Sequence, residues 1–436
     1  MILCGDIMPS DSAVREWLES TRNNGMALGL DTTYAILKQL DVNFDGTTVI
    51  HVAGSNGKGT LCSLLSASFT LNSESNVMFS SPHLCRIEER IRLDGVPISG
   101  KEFDSCLATV RLTAGNLGIV PTFFETTFLT AMVFCARSRP KYLILETGLG
   151  GRLDATRSSP ADLCVLTSIT SEHTDILGTD IHQIIAEKAA IARPGKPIIV
   201  RHMGIELFEE TVDGCAQNCA IEQLGETKEF ATCQYVEVPK GVTALDEAEL
   251  LANAVFETLS KDSSIISNSK NRLNWPARMQ IIKLDSGHRF VLDAAHNPSG
   301  LAKVKQQLVD LSKQDNSEDR LCLLFGTSPQ QELGKMLENV KEICDEFSNV
   351  EIFLTRPTGG RYPPIEPKIL AGYDWRDITV SIWQDYTNAI EAILARSPAS
   401  VGNILSIGSL YLQGNILNYL GKNTDDDLSL LPKQSN

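Results

Sequence analysis

The feature that most constrains this chain is the glycine-rich stretch His51-Val52-Ala53-Gly54-Ser55-Asn56-Gly57-Lys58-Gly59-Thr60, set between an apolar strand pattern and a helical one. Glycines let backbone N–H groups approach phosphate oxygens with no Cβ in the way. The helix that follows offers its N-terminal donors and the positive end of its dipole. Lys58 would reach the β- and γ-phosphates and Thr60 would offer a hydroxyl to Mg²⁺, with Asn56, Gly57 and Gly59 completing a nucleotide loop. The strict Gly-x-x-x-x-Gly-Lys-Ser/Thr pattern is not met, since Gly59 separates the lysine from the hydroxyl and Val52 stands where the first glycine would be. A flexible turn ahead of a core helix is the competing reading.

Strand and helix patterns alternate along the chain, which predicts an α/β fold with mostly parallel sheets covered on both faces. Strands are expected at 48–53, 142–146, 163–169 and 197–200, and helices at 58–70, 181–192 and 244–260. The stretch 204–242 carries no clear pattern, and the serine- and asparagine-rich run 261–271 reads as the approach to a domain junction. A second series follows, with strands at 290–293, 321–325, 350–354 and 403–407 and helices at 301–311, 332–347, 386–395 and 410–420. The tail around Asp425-Asp426-Asp427 reads as solvated and frayed. At 436 residues the chain has room for more than one domain, and the boundaries expected are 1–280 and 281–436.

Composition bears on partners. A net charge of −15 disfavours a broad nucleic-acid or anionic-membrane surface. Eleven cysteines without a Cys-x-x-Cys pair read as reduced thiols. The absence of a signal-peptide pattern and of a long apolar run predicts a cytoplasmic protein.

Further polar segments interrupt apolar strands at their C-terminal ends, where open α/β sheets place ligands. They are Ser80-Ser81-Pro82-His83-Leu84, the turn from Glu146 through Gly148-Leu149-Gly150-Gly151-Arg152-Leu153-Asp154-Ala155 to Thr156, and Ser168 to His173. Glu146 is a hard oxygen ligand suited to Mg²⁺, and His173 is placed for the same site. Lys188 lies on an apolar helical face, where an ammonium has to be paired, shifted or modified; the alternative is a Glu187/Lys188 pair facing solvent. Trp275-Pro276-Ala277-Arg278 and Asp293-Ala294-Ala295-His296-Asn297-Pro298 bracket the expected junction. In Thr122-Phe123-Phe124-Glu125, the rings could stack on a flat heterocycle or be core.

Taken in order and spacing, these segments, with Glu89-Arg90-Ile91 and Glu187-Lys188-Ala189, resemble the folylpolyglutamate synthase/dihydrofolate synthase family of the Mur-ligase superfamily, from about residue 25 to Gly414. The resemblance implies an N-terminal P-loop ATPase domain and a smaller C-terminal Rossmann-like domain. It implies an ATP-dependent amide ligase that adds L-glutamate to dihydropteroate, and to reduced folates, through an acyl phosphate. A folylpolyglutamate synthase alone, or a noncatalytic nucleotide-binding relative, are the alternatives. It further implies two Mg²⁺ ions on Ser81, Glu146 and His173, a monovalent cation, and a carbamylated Lys188. Lys58, Lys188 and His173 would be the catalytic groups. Asn253, Arg278 and Asp293 match ATP-contacting positions, and Thr122 to Glu125 with Leu153, Asp154 and Ala155 match the pteroate site. Small-molecule substrates and a monomer are expected. The chain departs from the family pattern at Arg157 (usually asparagine), Glu172 (aspartate) and Ala277 (glycine). The usual His-Gln ahead of Asn253 is absent, and Thr327-Ser328-Pro329-Gln330-Gln331 replaces an Asp-Lys-Asp stretch.

Overall fold

The structure is a computed structural model that describes residues 11–25, 29–171, 174–224, 230–314, 319–330, 332–360 and 363–433. The chain divides into two units. The first runs to Leu273 without Leu84–Ile87, and the second comprises Leu84–Ile87 and the chain from Asn274 onward. The expected 280/281 boundary therefore falls inside the second unit.

The first unit contains β1 (Thr48–Ala53), β2 (Asn76–Phe79), β3 (Ile91–Leu93), β4 (Val96–Pro97), β5 (Tyr142–Glu146), β6 (Leu163–Leu166), β7 (Pro197–Arg201) and β8 (Thr232–Val236). They form one sheet in the order β4-β3-β2-β5-β1-β6-β7-β8. The six strands from β2 to β8 in that order are parallel, and β3 and β4 extend the edge antiparallel. β1 is central and almost wholly buried, as its Thr-Val-Ile-His-Val-Ala sequence requires of a parallel strand covered on both faces. Its register sets Val52 against Glu146 and Ala53 against Leu166, which brings three loops to one edge.

The second unit has β9 (Gln280–Lys283), β10 (Arg289–Leu292), β11 (Arg320–Phe325), β12 (Asn349–Leu354), β13 (Thr379–Ile382) and β14 (Asn403–Ile407), in the order β13-β12-β11-β14-β10-β9. All pair in parallel except β9. Alternate residues feed opposite faces. Val291, Leu323 and Leu405 pack with Leu308 and Val340 on one side. Phe290, Leu324 and Ile404 pack with Ile390 and Leu412 on the other. Helices on both faces make this a Rossmann-like layer structure.

Several expectations change. β6 stops at Leu166, because Thr167 and Ser168 turn their hydroxyls onto Asn56 O. The helix expected over 181–192 ends at Ala189, where the Arg157 Nε takes Ala190 O. The run 261–271 contains the helix Ser264–Arg272, whose buried Ile266 and Ser269 show that packing overrides its poor helix propensity. The stretch 204–242 contains a helix, Phe208–Leu224, and β8. The tail is not frayed over its described part. Thr424 and Asp427 form a capping box, Leu428 and Leu430 are fully buried, and Asn274 Nδ2 donates to Asp427 O and Ser429 O at 3.0 and 2.9 Å.

Candidate functional site

At the end of β1 the chain turns away through Gly54 at φ +144°. An added Cβ would come within 1.9 Å of Thr167 Oγ1, so the position admits glycine alone. Ser55 N donates to Ser168 O at 2.7 Å, tying the loop to the exit of β6. Gly57, at φ +88°, caps the Lys58–Leu71 helix, and no side chain caps it. That is the condition under which first-turn amides can receive an anion.

Lys58 Nζ folds back to donate to Gly54 O at 2.8 Å and to Ser55 O at 3.3 Å. Lys188, 1% exposed on the Ile181–Ala189 helix, donates to the same Gly54 O at 3.0 Å. Two ammonium groups thus converge on one carbonyl of the phosphate loop, where like charges repel in a poorly solvated setting. The solvent-facing alternative for Lys188 is excluded, and Glu187 instead pairs with Arg152 at 2.9 Å. Glu146, 6% exposed at the end of β5, accepts a hydrogen bond from Ser81 N on Oε2 at 3.2 Å.

The turn after Glu146 is docked against the Lys188 helix. Gly151 lies so close that a Cβ would sit 2.8 Å from Glu187 O and from Lys188 O, and Arg152 N donates to Glu187 O at 2.9 Å. Asp154, also 6% exposed, staples the turn. Its Oδ2 accepts from Gly148 N and Leu149 N at 2.9 and 2.8 Å, and its Oδ1 from Thr156 N and Oγ1 at 3.0 and 2.5 Å. Burial pushes its carboxyl up from the ordinary value, against the opposing pull of those donors.

No protein-family model matches the chain. It is 29% identical to the dihydrofolate synthase/folylpolyglutamate synthase of Escherichia coli over 354 residues, 76% of this chain and 79% of that one. It is 26% identical to the protein of the same name from Bacillus subtilis over 435 residues, 92% of this chain and 97% of that one. Among solved structures, E. coli FolC in complex with DHPP and ADP matches with a TM-score of 0.77 at 25% identity, covering 95% of this chain and 99% of that one. Over most of its length the chain is thus similar, in sequence and in fold, to the folylpolyglutamate synthase/dihydrofolate synthase family. Its two α/β units are those of the family's fold, within the Mur-ligase superfamily.

Other positions that match the family pattern have mixed surroundings. Thr122 and Glu125 form a capping box for the Phe123–Ser138 helix, with Thr122 N donating to Glu125 Oε2 at 2.7 Å and Glu125 N to Thr122 Oγ1 at 3.3 Å. The Thr-x-x-Glu spacing was a signal for that cap. The ring of Phe123 has the Arg22 guanidinium 3.8 Å and the Arg90 guanidinium 5.2 Å from its centroid. Neither arginine stood out from sequence as a neighbour of this ring. Arg90 Nε donates to His83 Nδ1 at 3.0 Å, and burial with the nearby Arg90 and Arg22 pushes the imidazole down to about 3. Phe124 lies against Gly148, where a Cβ would meet its Cζ at 2.6 Å, and so borders the glycine turn. Leu153 is half-buried there and Ala155 buried.

Asn253 is half-buried on the Ala244–Thr258 helix, which packs against the Lys58–Leu71 helix. In the second unit Asp293, 2% exposed, accepts from Met279 N and Ala295 N at 3.0 and 2.8 Å. Burial raises its carboxyl and the Arg278 charge opposes the rise. Ala277 holds φ +55°, which explains the glycine usual at that position and leaves the alanine in a conformation that L residues rarely adopt. Arg157 is buried and directed at Ala190 O at 2.5 Å, a structural anchor at a helix C-terminus. Thr327 is buried, with Gln330 Nε2 donating to its hydroxyl at 3.3 Å. His173, with Glu172 and Gln331, lies outside the described residues. Among the described residues no three His, Cys, Asp or Glu side chains gather into a metal-sized cluster.

Proposed function

We propose that this chain is an ATP-dependent amide ligase that joins L-glutamate to dihydropteroate and to reduced folates. The substrate carboxylate attacks the γ-phosphorus and ADP departs, leaving an acyl phosphate. The glutamate amine then adds to the acyl carbon, and the tetrahedral adduct expels phosphate. Such chemistry asks for positioning and charge neutralisation more than for covalent help from the protein. The reading is carried by the convergence of Lys58 and Lys188 on Gly54 O, at the loop that β1 holds beside Glu146.

In this reading Lys58 leaves Gly54 O to hold the β- and γ-phosphates, and the uncapped helix start receives phosphate oxygens. Asn253, Arg278 and Asp293 contact ATP, while Phe124, Leu153 and Ala155 border the pteroate. The buried carboxylate of Glu146 is a hard donor that fits Mg²⁺, and Ser81 and His173 would complete its ligands. The ions, two in our proposal with a monovalent cation alongside, supply neutralisation of triphosphate charge. Lys188, as the free amine, takes up CO₂ to form a carbamate and release a proton. That replaces a repelling ammonium by an anion held near Lys58, in keeping with its burial. The working form we propose is a cytoplasmic monomer.

The test is ADP release from purified protein given Mg²⁺, ATP and L-glutamate with either dihydropteroate or tetrahydrofolate, with products identified by mass. Glutamyl products from both are expected. Turnover of tetrahydrofolate alone would reduce the protein to a folylpolyglutamate synthase, and ATP binding without either product would make it noncatalytic.

A further inference from the structure

One buried chain of hydrogen bonds, in which Asp154 is the member that matches the family's pteroate site, joins the strand of the phosphate loop to the turn proposed to border the pteroate. His51 lies in β1 three residues before Gly54 and is fully buried. Its Nε2 is 2.8 Å from Thr156 Oγ1, that hydroxyl is 2.5 Å from Asp154 Oδ1, and Asp154 Oδ2 holds the amides of Gly148 and Leu149. With four donors converging on it, Asp154 acts as acceptor and takes the hydroxyl hydrogen of Thr156. The Thr156 oxygen must then accept from His51, which assigns the Nε2–H tautomer. Burial, with Arg193 and Arg157 close by, keeps the imidazole from gaining a second proton.

The frame around the hydroxyl is fixed. Arg157 Nε donates to Ala190 O, and Arg193 Nη2 donates to Arg157 O and Ser159 O at 2.8 and 3.1 Å, pinning the C-terminal end of the short turn Ala155–Ser158, while Asp154 Oδ1 holds Thr156 N at its start. A lost hydroxyl therefore cannot be replaced by a small shift. We propose that Thr156 is a positioning residue for the pteroate side of the site, the joint through which His51 and Asp154 hold the Gly148–Leu149 turn at its distance from the phosphate-loop strand. The inference rests on the reading that Phe124, Leu153 and Ala155 border pteroate.

Thr156→Val removes the hydroxyl at nearly constant volume. It should raise the KM for dihydropteroate roughly tenfold, the equivalent of one buried hydrogen bond, and leave the KM for ATP within about twofold. Thr156→Ser should restore the wild-type KM. Nitrogen NMR of wild type should show His51 protonated at Nε2, with that signal moved in Thr156→Val. Should Thr156→Val fail to fold, His51→Gln, which keeps a donor, should have a wild-type pteroate KM, and His51→Leu should have a raised one. Equal rises in both KM values, wild-type kinetics in Thr156→Val or in His51→Leu, or an Nδ1–H tautomer overturn the inference. An inactive wild type would sink the ligase reading and this inference with it. An active wild type matched by Thr156→Val sinks this inference alone.

Discussion

Each unit has a strand, β1 in the first and β10 beside the edge of the second, that leads through a short loop into a helix, and the two joints handle the helix start in opposite ways. After β1 the cap is Gly57, which offers no side chain, and the Lys58 and Lys188 ammonium groups both donate to Gly54 O. After β10 the cap is Asn297, whose Oδ1 accepts from Gly300 N at 2.7 Å, with Pro298 beginning the Pro298–Lys313 helix. Asp293, at the end of the same strand, takes two amides for itself. The same topology thus gives an open set of donors in one unit and a closed set in the other. Side chains at the cap decide between binding an anion and stabilising the helix.

The sharpest way to break the contrast is to remove the charges that make the first joint a phosphate site. Lys58→Ala and Glu146→Ala should each lower turnover about 10²–10³-fold, comparable to losing an oxyanion donor, while the melting temperature barely moves. Lys188→Arg should be equally inactive because its charge has the wrong sign for a carbamate's role. Added short carboxylic acids should partly restore Lys188→Ala. Steady-state ADP release decides all of these, and full activity in Glu146→Ala would remove the assignment of the centre.

Gly54→Ala tests the backbone rather than the charge. With φ at +144° and Thr167 Oγ1 in the way, it should cost at least about 1–3 kcal/mol in urea denaturation and weaken ATP binding. A variant as stable as wild type would show that the loop can relax. The two strands also differ inside: His51 is buried two residues before the end of β1, where Phe290 stands two residues before the end of β10. The His51 pKa is lowered by burial, Arg193 and Arg157, so the unfolded chain binds the extra proton. Stability should therefore be complete above about pH 6.5 and fall below it, by at most about 1.4 kcal/mol per pH unit from this group. His51→Gln should flatten that slope, and an unchanged slope would assign it elsewhere. The smallest effect belongs to the closed joint. Asn297→Ala should cost about 1 kcal/mol of stability by thermal melting and leave ATP affinity as it was. Loss of nucleotide binding there would erase the contrast between the joints.

Sequence patterns located the buried strands well and the half-exposed ones poorly. β1, β5 and β14 have the bounds expected from their apolar runs. β8, β9 and β13 went unrecognised because edge strands expose much of their length and carry no such run. Polar side chains were harder still. Glu146, Asp154 and Glu125 are all buried carboxylates near glycine or aromatic residues, and nothing in their neighbours tells them apart. Their hydrogen bonds do: Asp154 holds two backbone amides of its own turn with Oδ2, Glu125 caps its own helix with Oε2, and Glu146 reaches Ser81.

What the sequence determined by itself is local. The glycines of the phosphate loop, Lys58 one residue beyond Gly57, and the alternation that builds two parallel sheets all follow from interactions within a few residues, where spacing along the chain equals spacing in space. Tertiary structure alone decided the rest. It buried Lys188 against a carbonyl 134 positions away and set His51 against a hydroxyl 105 positions away. The physical reason is that a side chain's charge state and hydrogen-bond partners depend on which distant backbone excludes water from it, and that is fixed only when the strands have found their register.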